Sequence, residues 1–332
     1  MENKMEISNN SKPKFWVSQA ISLPSLIVYL AICLTLLISP LAFAQEGDTE
    51  EVIESVTIIG SAEDQKKLAG SGQIISNADL LKAMDTDIQK ILTAVPGLYM
   101  RTEEGYGLRP NISIRGTAIE RSAKVAIMED GVLVAPSPYT SSSAYYFPTT
   151  GEYILLSLKG PAAVTQGPQT IGGAINLIST PIPNAPSGKF VQELGENGMM
   201  RTHAYYGGTS GNFGGLVEVH EHESDGFDSI ANVGGDTGFD KSDLMLKARY
   251  ENGDHSLTFK MVDLDETSNQ SYVGLSQASF IANPRERYGA TAYDKMMNDG
   301  DQTSLTYVGD FESFNVTFTS WQNDYYRDWF KV

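Results

Sequence analysis

Hydrophobic positions along the chain change period several times, and each change predicts a different kind of element. Leu26–Ile38 is an apolar run flanked by Lys12 and Lys14 on one side and by Pro40 and Ala42-Phe43-Ala44 on the other. A basic start, an apolar core of about 13 residues and an A-x-A site predict a secretory leader over 1–44, cleaved after Ala44. A membrane anchor is the alternative, but the run is short of the roughly 20 residues a helical span needs. Val52–Ile59 is a β-prone stretch, closed by Gly60-Ser61 and a loose linker running to about Gly72. Helical spacing then takes over: Leu80, Leu81, Met84, Ile88, Ile91 and Leu92 repeat at three and four, and Pro96-Gly97 ends the run. Short strands follow at Asn111–Arg115, Lys124–Met128, Val132–Val134, Tyr153–Gly160 and Ala174–Ile178, with Glu129-Asp130-Gly131 between the second and third. Asp-Gly between alternating strands predicts a hairpin.

From Gly188 the period becomes two. Leu216–His222, Leu244–Tyr250, Ser256–Val262, Ser304–Val308 and Asn315–Trp321 all alternate, with Asn252-Gly253 as one of the turns and a longer segment over 264–298. This gives about seven strands in antiparallel meander style, the pattern of a transmembrane β-barrel, whose strands need only about ten alternating residues each. A soluble β-sandwich has the same period. The aromatic strand Tyr325–Phe330 lies at the chain end, and an open edge is not tolerated in lipid, so the expected barrel is incomplete. The domain reading is a leader over 1–44, a flexible segment over 45–72, an α+β unit over 73–186 bounded by Pro181–Pro186, and partial barrel over 187–332.

Charge narrows the function classes. With 24 Lys+Arg against 41 Asp+Glu the net charge is −17, and without the leader's three Lys and two Glu it is −18. Nucleic acid is excluded as a partner, because phosphate contacts need clustered cations. The one cysteine, Cys33, falls in the leader, which leaves no disulfide and no thiolate metal site. No G-x-S-x-G, phosphate loop or H-E-x-x-H is present, so no catalytic constellation and no enzyme is expected. His220 and His222 alternate on one strand face; a metal site is conceivable there, but polar residues alternating on a lumen face are the commoner cause, and no resident metal or cofactor is expected.

Several motifs then occur in a telling order: Pro96-Gly97-Leu98, Leu108–Gly116, Met128-Glu-Asp-Gly-Val132, Lys159-Gly160-Pro161 and Gly167–Asn176. Together they resemble the plug of TonB-dependent outer-membrane receptors. Pro138-Tyr139, Ala282–Tyr288 and Asn323–Trp329 most resemble the ferric dicitrate branch. The resemblance covers about 52–332. It implies an α+β plug domain followed by the first strands of a 22-stranded antiparallel transmembrane β-barrel, in the outer membrane of a Gram-negative bacterium. It implies outer-membrane lipid around the barrel, TonB with its inner-membrane energising complex as partner, and a ferric chelate, in first place ferric citrate, as cargo. Receptors for a cobalamin or a sugar, a truncated inactive receptor and a soluble secreted β-rich binding protein are the rivals.

Residue by residue, the resemblance makes Glu54, Ser55, Val56, Thr57, Ile58 and Ile59 the TonB box, a tethered strand suited to capture by strand addition. The segment between leader and box is too short for a signalling domain. Gln169 and Thr170 sit in a loop that reaches toward the ligand; a plain Gly-rich turn is the alternative. Tyr139, Thr140 and Ser141–Ser143 belong to the apical loop, where neutral donors suit a hydroxycarboxylate chelate. Arg285, Arg287 and Arg327 occupy the segments expected to hold citrate carboxylates, which guanidinium groups bind in bidentate fashion. Arg109 and Arg115 are expected to face the barrel wall; ion pairing within the plug or to barrel carboxylates is the competing role.

Overall fold

The computed structural model describes residues 71–75, 88–134 and 154–331, apart from 102, 104, 110, 168, 169 and 272. The first part is built from β1 (Ser71–Ile75), α1 (Ile88–Thr93), β2 (Leu98–Arg101), β3 (Asn111–Ile114), β4 (Val125–Glu129), β5 (Val132–Leu133), β6 (Ile154–Lys159) and β7 (Gly173–Ile178). β2 and β3 form their own antiparallel pair. The others make one sheet in the order β1-β6-β7-β4-β5. β4 and β7 run parallel at its centre, and every residue of both is buried. Their near-continuous apolar sequences suit strands covered on both faces. Leu92 and Val95 of the helical turn pack on Ile112, Ile114, Ile127, Ile175 and Leu177 to make the core.

One difference from the sequence reading lies at Ser71. The expected loose linker is already β-structure there, because Ser71–Ile75 pairs antiparallel along β6. The Asp-Gly hairpin forms between β4 and β5. Asp130 and Gly131 both have positive φ, 49° and 80°, the mirror-image turn that matches strand twist.

The second part is a seven-stranded meander: β8 (Ser187–Leu194), β9 (Met200–Ser210), β10 (Phe213–Ser224), β12 (Phe239–Asn252), β13 (His255–Ser268), β15 (Lys295–Phe311) and β16 (Phe314–Phe330). All its neighbours pair antiparallel in sequence order. At one end the strands join through two residues each, 211–212, 253–254 and 312–313. The other end carries the longer connections 195–199, 225–238 and 269–294. Two of these are stitched together where β11 (Ser229–Ile230) runs parallel to β14 (Glu286–Arg287). The largest also holds α2 (Gln277–Ala282), capped by Ser276 Oγ, which accepts from Ser279 N.

The two faces of this sheet have opposite chemistry to a soluble sandwich. Strand alternation puts Phe190, Tyr206, Val217, Leu246, Phe259 and Leu305 on the outer face, all of them exposed. Glu218, Lys247, Lys260, Glu266, Asn298 and Gln302 lie on the inner face, and all are buried. A sandwich buries its apolar face. A barrel wall in lipid does the reverse, apolar outward and polar inward, and these positions follow that distribution, with Leu216, Met245, Val262 and Leu264 as buried apolar residues among the inward polar ones. No helix among the described residues is long and apolar enough to cross a membrane.

Candidate functional site at the plug–wall interface

The inner polar face meets the first part through two charged anchor points, both on β13. At the first, the β4–β5 turn offers Glu129 and Asp130 to the wall. Lys260 Nζ lies 2.8 Å from Glu129 Oε2 and donates to Asp130 Oδ2 at 2.6 Å. Asp130 is held from its own side as well: Ser179 N donates to Oδ1 at 3.0 Å and Ser179 Oγ to Oδ2 at 2.5 Å. Lys247 of β12 donates to the Thr180 carbonyl at 2.8 Å and stands 4.0 Å from Asp130 Oδ2. Burial alone would raise the Asp130 carboxyl. The Lys260 and Lys247 ammoniums, with hydrogen bonds from Lys260 and Ser179, outweigh it and hold the group well below the usual carboxylate range.

At the second anchor, Arg109 reaches from the loop before β3 into the wall. It donates to Glu266 Oε1 at 2.5 Å, Ser268 Oγ at 2.7 Å and Gln270 Oε1 at 2.7 Å. Asn298 Nδ2 of β15 donates to the same Glu266 oxygen at 3.2 Å, and Tyr325 OH of β16 donates to Asn298 Oδ1 at 3.0 Å. The guanidinium therefore organises three adjacent strands. Asn323 Nδ2 adds a bond to the Leu133 carbonyl at 2.9 Å. Buried ions need such complete pairing, because either partner left alone bears its full desolvation cost.

The residues singled out from sequence have divergent fates. Arg109 meets a wall carboxylate. Arg115 does not reach the wall: it sits at φ 53° on the exposed turn after β3, and its guanidinium donates to Ser71 Oγ at 3.1 Å within the first part. Thr170 Oγ1 donates to the Gly167 carbonyl at 2.9 Å, so its hydroxyl closes its own turn. Arg287 is buried and committed inside the 269–294 loop. Its Nε donates to Thr291 Oγ1, one terminal nitrogen to the Asn269 carbonyl and the other to the Thr291 carbonyl. With all three nitrogens engaged it positions the loop and offers no bidentate fork to a ligand, which corrects the expectation from sequence. Arg285, two residues away, is placed differently: its guanidinium lies 5.8 Å over the Phe227 ring. Arg327 is exposed near the long-loop end of β16. The loops bring Arg285 and Arg287 together and leave Arg327 on the wall. Glu54–Ile59, Tyr139, Thr140, Ser141–Ser143 and Gln169 lie outside the described residues.

Lys260, Lys247 and Glu266 were missed by sequence reading. Their only signal is a charge at the inward register of an otherwise apolar-alternating strand. His220 and His222, read as a pair, separate in function. His222 meets the Phe239 ring edge-on at 4.8 Å, whereas His220 stacks on His203.

Comparison with known proteins accords with this architecture. Residues 64–174 match the family model described as TonB-dependent Receptor Plug Domain. The vitamin B12 transporter BtuB of Photobacterium profundum is 22% identical over 229 residues, 68% of this chain and 37% of that protein. The BtuB of Vibrio vulnificus is 25% identical over 154 residues, 46% of this chain and 24% of that protein. Among solved structures, the unliganded ferric citrate transporter FecA superposes with a TM-score of 0.68 at 22% identity, covering 81% of this chain and 42% of that one. The ferric yersiniabactin uptake receptor FyuA from Yersinia pestis gives 0.63 at 22% identity, covering 78% and 41%. The chain thus spans less than half the length of these relatives.

Proposed function

We propose that the chain, whose residues 64–174 match the TonB-dependent receptor plug domain model and are followed by wall strands polar inside and apolar outside, serves TonB-driven uptake of a ferric chelate across a Gram-negative outer membrane. The observation that carries this reading is the pair of charged anchors, Lys260 with Glu129 and Asp130 and Arg109 with Glu266, which hold the plug against the polar inner face of the wall. In this reading the leader exports the chain, and the long-loop end faces outward, since outer-membrane barrels keep their short turns on the periplasmic side. The ligand meets Tyr139, Thr140, Gln169, Thr170, Arg285 and Arg327, and TonB adds a strand to Glu54–Ile59. Cargo iron arrives inside its chelate.

Ferric citrate is the substrate assignment. Tryptophan-fluorescence titration with ferric dicitrate tests it, since Trp321 and Trp329 lie on β16, the latter two residues from Arg327. Saturable quenching at micromolar ligand supports it, and its absence removes ferric citrate. The vitamin B12 relatives favour a cobalamin as the second reading, so the same titration with cyanocobalamin separates the two.

A further inference from the structure

The chain has four histidines, and two of them face each other inside the wall. His203 on β9 and His220 on β10 are direct register partners, and Glu218 lies on the same inward face two residues before His220. The rings stack with centroids 4.0 Å apart and planes 7° apart. Both Nε2 atoms are aimed at one oxygen, Glu218 Oε1, at 2.7 Å from His203 and 3.3 Å from His220. Thr180, in the strap that leaves the plug, donates its hydroxyl to that oxygen at 2.8 Å. The side chains of His203, Glu218 and His220 are 3%, 6% and 5% exposed. Among the described residues, Glu218 Oε2 and His220 Nδ1 have no hydrogen-bond partner.

This is an odd distribution of bonds for a purely structural cluster. Two imidazole nitrogens and a hydroxyl crowd one carboxylate oxygen while the other is bare, and a bare buried acceptor carries its desolvation cost uncompensated. Neither anchor on β13 shows the pattern; there each carboxylate answers a cation from across the interface.

We propose that His203, Glu218 and His220 bind one divalent transition-metal ion, zinc in first place. Two imidazoles and a carboxylate are a zinc-type donor set, and nitrogen-rich sets disfavour magnesium and calcium. The three ligand atoms already lie within 4.8 Å of one another. Tetrahedral zinc with bonds near 2.0–2.1 Å spaces its ligands roughly 3.3–3.4 Å apart. His220 Nε2 already stands 3.3 Å from the carboxylate oxygen, and His203 needs to retreat by a fraction of an ångström. The rings tilt out of their parallel stack to aim both lone pairs at a shared point, and the Thr180 hydroxyl stands beside the fourth position. The ion is resident: its donors are sealed between wall and plug strap, as in closed structural sites. It ties β9 and β10 to the strap where the plug becomes barrel.

The test uses the chain in detergent micelles after chelator treatment, titrated with Co²⁺ by visible absorption and with Zn²⁺ by calorimetry. The expected result is one equivalent of Co²⁺ giving a tetrahedral d–d band that Zn²⁺ displaces. Glu218→Gln and His220→Gln should each weaken binding by more than the roughly 10–100-fold lost when a residue that only steadies a ligand is changed. His222→Gln and His255→Gln should leave it unchanged, and Zn²⁺ should raise the thermal midpoint of the parent but not of Glu218→Gln. Near-UV circular dichroism checks that each variant keeps the parent fold. The proposal is overturned if no one-equivalent site appears, if Glu218→Gln and His220→Gln bind as the parent does, or if His222→Gln weakens binding as much as His220→Gln.

Discussion

Lys260→Met is the most informative single change, because it keeps an unbranched apolar stem while removing the charge that bridges Glu129 and Asp130. Breaking a buried pair by removing one partner costs about 3–5 kcal/mol. Asp130 keeps its two bonds from Ser179 and the more distant Lys247, so the loss should fall at the low end, about 3 kcal/mol. Hydrogen exchange of the β4 amides reads it directly: at 1.36 kcal/mol per decade, opening becomes roughly 150-fold easier. The pH dependence gives the sign. The folded carboxyl of Asp130 lies below its ordinary value, so its contribution is present above the unfolded value, near pH 4, and is lost as pH falls through the lower folded value. In the parent, plug docking should therefore be flat from pH 7 to about 4.5. In Lys260→Met the principal counter-charge is gone and burial pulls the carboxyl upward, so the variant gains by protonation and the gap to the parent narrows on acidification. Asp130→Asn combined with Lys260→Met should cost less than the sum of the singles, with a coupling of about 1–3 kcal/mol. A coupling below about 0.5 kcal/mol, or a gap that widens in acid, refutes the reasoning.

Other expectations follow from the same geometry. Arg109→Lys keeps the charge but loses the fork that reaches Glu266, Ser268 and Gln270 at once; it should destabilise docking by about 1–3 kcal/mol, and Arg109→Ala by about 3–5, in the same exchange assay. Phe259→Arg, in the middle of the outer apolar band, should cost roughly 2–4 kcal/mol in bilayer unfolding titrations, whereas Asp265→Arg near the long-loop end should cost about 0–1. Both positions lie on the outer face of β13, so equal penalties would refute the placement of Phe259 at mid-depth. Arg287→Lys should loosen the 269–294 loop, seen as faster limited proteolysis there, while Arg285→Ala should leave cleavage unchanged and weaken an anionic chelate.

Much of the architecture was legible from period and punctuation. The Asp130-Gly131 turn could be read because positive φ at two successive positions has few sequence solutions. The wall strands could be read because a period of two survives any choice of partner. The orientation of the wall was not legible that way: alternation is blind to which face looks outward, and only the plug lying against Lys260 and Glu266 decides it. Arg109 and Glu266 are 157 residues apart, beyond any local pattern. Arg287 was misread because sequence shows a cation but not the Asn269 and Thr291 carbonyls that occupy it. His203 escaped notice because its partnership with His220 depends on hairpin register, whereas His222 shared a strand with His220 and was visible.

The two anchors on β13 carry opposite signs. The wall gives a base at Lys260 and an acid at Glu266, the plug gives acids at Glu129 and Asp130 and a base at Arg109, and six residues of strand separate the two levels by about 20 Å. Such a pair works as a polarised key. A plug entering upside down, or slipped by one level, would set lysine against arginine and carboxylate against carboxylate in a dry interface. Mis-seating is therefore penalised twice over, and the interface selects the orientation of its own stopper before any apolar surface needs to fit.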